Sequence, residues 1–285
     1  MSFFSKSQPG GDRWYRNAGD PSELVSITRA VSEELFATRA GGYGVTFAVE
    51  GVDTECLSEE TLTALSSELL NGSRLVPEDF VVYQIVRKRR GIVPTLLHTE
   101  SSNPLVAETQ RARRDHLAQV GFSSVELFLT LYSPPPGPHQ WAPGARARAT
   151  EQQLRQLEAV AQAMQINLRS FGLKRLGLRE ICALYGYIAN LHGHHPIPSS
   201  FERIAEDLPC ETIQWNDDGL KIGAQQVKLF SLVRAPKSTH PNLFGELLRL
   251  DSDMVLVLES QRRTSEQTHA AISSQETLPT SSGKS

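Results

Sequence analysis

The sequence predicts an α+β protein built as two subdomains, each a mixed or antiparallel sheet of ferredoxin-like character covered by helices. Three observations lead there. Short β-branched runs of alternating polarity recur in both halves of the 285-residue chain. Between them lie segments with apolar residues every three or four positions, opened by capping side chains. A break rich in proline, Ser133-Pro134-Pro135-Pro136-Gly137-Pro138, divides the halves.

The elements follow in order. Residues 1–20 are polar and read as a flexible leader. Strands are expected at 35–38 and 45–49, joined by a turn at Gly41-Gly42-Tyr43-Gly44. Ser58 suits an N-cap, Glu59 and Glu60 the first turn, and Leu62, Leu65 and Leu69 one face of a helix that Asn71-Gly72 stops. Residues 80–86 form the next strand. Asn103-Pro104 opens a helix running to about Gln119, and 125–132 are a third strong strand. Residues 21–132 thus read as an N-terminal α+β subdomain, and 133–150 as an exposed connection.

A central α+β subdomain is expected over 151–272. Leu154, Leu157, Ala161, Met164, Leu168 and Phe171 alternate spacings of three and four, too briefly for a coiled coil, so this helix packs on a sheet. A second helix spans 178–191 after Gly177, and a short one 201–205. Extended runs at 212–215 and 220–222 flank Asn216-Asp217-Asp218-Gly219, a hairpin signal because glycine accepts positive φ. A strand at 227–233, a helix capped by Asn242 and ending near Leu250, an apolar strand at 254–258 and a helix at 264–272 complete the unit. The Ser- and Thr-rich tail, 273–285, reads as disordered.

Bulk properties narrow the function. Hydrophobic content of 39% and charged content of 21% suit packed cores. A net charge of −3 supplies no global basic field for nucleic acid or anionic lipid. Cys56, Cys182 and Cys210 lack metal or redox spacing, so buried thiols in a reducing compartment are expected. No stretch approaches the ~18–20 apolar residues of a membrane helix. Residues 1–11 show no cationic segment followed by an apolar one, so a cytoplasmic protein is expected, with peripheral membrane association at most.

One ordered run then narrows it further: Trp215-Asn216-Asp217-Asp218-Gly219-Leu220-Lys221-Ile222-Gly223, Leu229-Phe230-Ser231-Leu232, Pro236, Pro241, Leu243, Leu247-Leu248 and Leu250-Asp251-Ser252-Asp253. Its order resembles the central region of the CagE/TrbE/VirB family, the ATPases of type IV secretion and conjugation. Upstream, Glu108 to Gly121, then Val125-Glu126-Leu127-Phe128-Leu129-Thr130-Leu131 and Pro134-Pro135, is similar to that family's basic helix, strand and proline exit. The resemblance covers most of residues 30–272. It implies protein transport or DNA transfer driven by ATP and Mg in full-length members, whose RecA-like motor carries a P-loop. This chain stops before such a motor. Gly283-Lys284-Ser285 is no Walker A motif, because Leu278 stands where its first glycine is needed. No cofactor is therefore expected in this chain. The resemblance implies a non-catalytic scaffold at the cytoplasmic face of the inner membrane, with type IV secretion inner-membrane subunits and other secretion ATPases as partners; homo-oligomerisation stays open.

Candidate residues are few. Arg87-Lys88-Arg89-Arg90 at a strand end, with Arg111, Arg113 and Arg114 on the following helix, form a candidate partner-binding set. Glu108 and Asp115 offset some of that charge, and no aromatic side chains interleave, so protein docking is favoured over nucleic acid. His192, His194 and His195 have no carboxylate or thiol close in sequence to complete a metal set and suit a helix end instead. Asp217-Asp218 suits the hairpin, and Asp251 and Asp253 a polar helix exit, so no catalytic pair is expected. Two alternatives stay open: a self-sufficient ATP-binding enzyme, and a nucleic-acid-binding module using 87–90.

Overall fold

The computed structural model describes residues 21–92, 103–120, 122–135, 145–192, 197–198, 200–216, 219–231 and 245–262. Its strands are β1 (Ile27–Ala30), β2 (Leu35–Thr38), β3 (Tyr43–Val49), β4 (Val81–Ile92), β5 (Phe122–Tyr132), β6 (Leu173–Arg175), β7 (Ile213–Asn216), β8 (Gly219–Ile222), β9 (Gln225–Val227) and β10 (Met254–Gln261). Its helices are α1 (Glu59–Arg74), α2 (Pro104–Val120), α3 (Ala145–Asn167), α4 (Leu178–Asn190), α5 (Ile204–Asp207) and α6 (Gly245–Arg249).

The α+β class holds. One sheet runs β1-β2-β3-β5-β4-β10, with β6 also pairing β3; a smaller sheet is β7-β8-β9, and every pairing is antiparallel. The large sheet draws strands from both sides of the proline-rich connection. The strand expected at 254–258 lies in β10, whose residues 254–261 pair residue for residue with 81–88 of β4. The large sheet carries apolar side chains on both faces, so both must be covered.

Two helices cover them. On one face Leu35, Ala37, Val45, Phe47 and Leu131 meet Leu157, Ala161, Met164 and Leu168 of α3 and the turn after it. This is the seam read from the sequence, packed on a sheet as expected. On the other face Phe36, Ile85 and Phe128 meet Ile181, Cys182 and Leu184 of α4 and Ile204, Ala205 and Leu208 around α5. Each fully buried aliphatic or phenyl side chain contributes about 1.5–3 kcal/mol. Arg175 of β6 ties the first face to its rim, reaching Glu158 at 2.6 Å, Glu34 at 3.3 Å and Gln165 at 2.9 Å.

Between the sheet and α4 lies a hydroxyl network. Thr46 and Thr130 stand opposite each other across β3 and β5 and share a 3.0 Å hydrogen bond. The Tyr185 hydroxyl of α4 reaches Thr130 at 3.2 Å and Tyr132 at 2.8 Å. Burial, and then the Tyr185 neighbour, raise the Tyr132 phenol, which stays protonated as a hydrogen-bonding group. Gly44 in β3 makes room for this layer: a Cβ there would meet the Phe36 ring at 2.5 Å.

Several expectations change. Ser58 caps α1 by accepting from the Thr61 N–H at 3.2 Å, as read, but the helix passes through Gly72 to Arg74. Gly72 is no stop; its missing Cβ admits the Leu168 side chain, which a methyl would meet at 2.5 Å. The face of α1 that carries Leu62, Leu65 and Leu69 is largely open, with Leu62 38% and Leu69 53% exposed and Leu65 half-buried. β4 runs on through Arg87–Arg90 to Ile92, so the basic run lies inside a strand, not at its end. β1 has no counterpart in the sequence reading, and Tyr43 and Gly44 begin β3 rather than forming a turn. The strand expected at 227–233 is β9 at Gln225–Val227, and residues 228–231 are not strand. Cys182 is buried, but Cys56 and Cys210 are exposed rather than buried thiols; all three are free. The leader, Trp14, Trp141, Asp217, Asp218, Asn242, the helix at 264–272 and the tail lie outside the described residues.

Candidate functional site

The basic strand is mostly neutralised within the fold. Arg87 donates from Nε and Nη2 to Glu126, directly opposite on β5, at 2.8 and 2.9 Å. Its guanidinium lies 5.3 Å from the Phe128 ring centre and 5.1 Å from that of Tyr187, in cation–π contact with both. Arg89 reaches Glu126 at 3.2 Å. Burial alone would raise the Glu126 carboxyl, but Arg87, with Arg89 behind it, outweighs that and lowers it.

Alternation sends the other two residues to the opposite face. Lys88 is only 5% exposed and donates to the carbonyls of Leu248 and Leu250 at the end of α6. A cation there satisfies orphan carbonyls and suits the helix dipole. Arg90 pairs with Asp251 at 3.0 Å, and its N–H donates to Asp253 at 2.7 Å. Asp251 and Asp253 therefore hold β4 rather than each other.

The remaining arginines differ. Arg111, Arg113 and Arg114 are exposed along α2 and make no ion pair or hydrogen bond among the described residues. Leu105 and Val106 in its first turn are 73% and 41% exposed. Asn103 caps the helix by accepting from the Leu105 N–H at 3.0 Å. At the adjoining start of β5, Phe122 and Val125 are 38% and 53% exposed. Among the described residues, ion pairs and hydrogen bonds engage the strand cations, whereas the α2 arginines are exposed.

At the other end of α4, His192 is brought to two side chains distant in sequence. Its Nε2 lies 2.9 Å from Glu211 Oε1, and its ring, the Cys210 Sγ and the Glu211 carboxylate fall within 4.8 Å of one another. Both lie far from His192 along the chain, where no short spacing points to them. The fully buried Asn190 near the end of α4 holds both residues there, because a buried amide needs several partners. Burial and Glu211 raise the Cys210 thiol, and burial pushes Cys182 up to about 11. His194 and His195 lie outside the described residues.

An open depression of about 320 Å³ runs along α1, lined by Glu59, Leu62, Thr63, Ser66, Ser67 and Leu70. Among the described residues Glu59 is its one ionisable lining residue, and no acid–base pair meets there. None of the described helices is long and apolar enough to cross a membrane.

An antiparallel sheet with helices on both faces, together with the exposed helix α2, defines an α+β domain. Residues 34–140 match the family described as type IV secretion system ATPase VirB4/TrbE, N-terminal domain. They contain β2 to β5, α1 and α2. The helices that cover the sheet lie beyond them, as does the run at 215–253. No curated protein matches the chain.

Proposed function

We propose that the chain is a non-catalytic docking part of a type IV secretion or conjugation ATPase, joining the motor to inner-membrane secretion subunits at the cytoplasmic face. The observation that carries this reading is α2. It sits inside the family-matched segment, yet its arginines and first-turn leucine and valine face solvent. Exposed apolar side chains beside exposed cations suit an acidic partner with an apolar anchor. ATP and Mg belong, in this reading, to the motor.

Vesicles carrying the inner-membrane subunits should retain the chain on sedimentation, and bare vesicles should not. The variant R111E/R113E/R114E should weaken retention at least ~10-fold, since each reversed rim charge repels the partner. Retention unchanged in that variant refutes the surface. A saturable Mg-ATP heat in calorimetry would support a self-sufficient ATP-binding enzyme. Binding to DNA with a steep salt dependence would support a nucleic-acid module.

A further inference from the structure

The cluster at the end of α4 has a chemistry that docking does not use. We propose that His192, Cys210 and Glu211 form a site for one divalent transition metal of the zinc type, with a fourth position open to water or a further ligand.

The donor set selects the metal. An imidazole, a thiolate and a carboxylate suit zinc, whereas magnesium and calcium take oxygen ligands. Tetrahedral bonds of ~2.0–2.3 Å place neighbouring donors about 3.3–3.7 Å apart. The three groups, all within 4.8 Å of one another, need only small side-chain movements. Nε2 and Oε1, now at 2.9 Å, would open by about half an ångström to admit the ion between them.

The backbone holds the ligands in place without help from the ion. Asn190, fully buried, accepts through Oδ1 from the N–H groups of Cys210 and Glu211, at 2.8 and 3.1 Å. Its Nδ2 donates to the carbonyls of Gly186 and Leu208 at 2.9 and 2.8 Å. One amide thus ties two ligand residues to the helix that carries the third. Leu191 ends that helix in the left-handed region, at φ 58°, and turns His192 out beside them. Gly223, at φ 56°, lets the β8–β9 turn close over the carboxylate; a Cβ there would lie 2.3 Å from Glu211 Oε2. Such supporting contacts are what a metal site requires of its surroundings. Entry is open, because Cys210 is exposed and the side chains of His192 and Glu211 are about a third exposed, at 30% and 32%.

The test uses the full 285-residue chain, reduced and stripped of metal by chelator. Cobalt(II) should bind at one equivalent and give thiolate-to-cobalt charge-transfer absorption, which zinc then abolishes by displacement. Cys210→Ser should lose that absorption, and Cys56→Ser should keep it. His192→Ala and Glu211→Gln should weaken binding at least ~10-fold. Absence of the thiolate band in the wild-type chain overturns the proposal, as does its persistence in Cys210→Ser. Because the wild-type titration can refute the site by itself, the test does not depend on every variant folding.

Discussion

Replacing Glu126 by Gln removes a charge from the most enclosed ion pair among the described residues while keeping nearly the same volume. Arg87, 13% exposed, would keep its place between Phe128 and Tyr187 but lose its anionic partner. Two charges ~4 Å apart attract by about 4 kcal/mol at an effective dielectric of 20 and ~1 kcal/mol in water. Glu126 is 32% exposed, which places the pair between those limits. The loss should therefore be about 2 kcal/mol, above the ~0–1 of a surface pair and below the ~3–5 of a fully buried one. With an m-value of ~3 kcal/mol per molar, the urea midpoint falls by about 0.7 M.

The pH dependence adds a second check. Arg87 and Arg89 overcome burial and hold the Glu126 carboxyl below its ordinary 4.5. A depressed carboxyl stabilises the fold above its unfolded value, and that stabilisation is lost as pH falls through the folded value. Glutamine does not titrate. The gap between wild type and E126Q, followed by circular dichroism, should be constant near neutrality and close in acid. An unchanged midpoint at neutral pH, or a gap equally wide well below the folded value, would refute the reasoning.

Lys88→Met should cost about 2–3 kcal/mol, because the stem is kept while two carbonyls at the end of α6 lose a charged donor. Scanning calorimetry reads this as a drop of several degrees; a melting temperature within one degree of wild type would count against it. Gly44→Ala should cost about 1–3 kcal/mol, since the added methyl drives into the Phe36 ring. Equal or greater stability in urea would show that the ring can move aside.

Local chemistry was legible in the sequence wherever it is local in the fold. The Ser58 cap, the seam from Leu157 to Leu168 and the hairpin ending at Gly219 depend on residues a few positions apart. What escaped was decided by distant partners. Periodicity marks an apolar face on α1 but cannot say whether another element arrives to cover Leu62 and Leu69. A basic run looks like a surface until Glu126, Asp251 and the α6 carbonyls are found around it. The same limit hid the cluster at His192, whose two companions follow 18 and 19 residues later.

The pairing of β10 with β4 has a consequence for synthesis. β4 ends at Ile92, and its outer neighbour does not begin until Met254. At roughly 5–20 residues per second, a ribosome needs on the order of 10–30 s to deliver the missing strand. Throughout that wait one flank of β4 is bare and able to template misassembly between nascent chains. Four consecutive cations, Arg87 to Arg90, sit on the waiting ribbon and repel an identical copy. The charges that lock the finished sheet thus also guard it while it is unfinished.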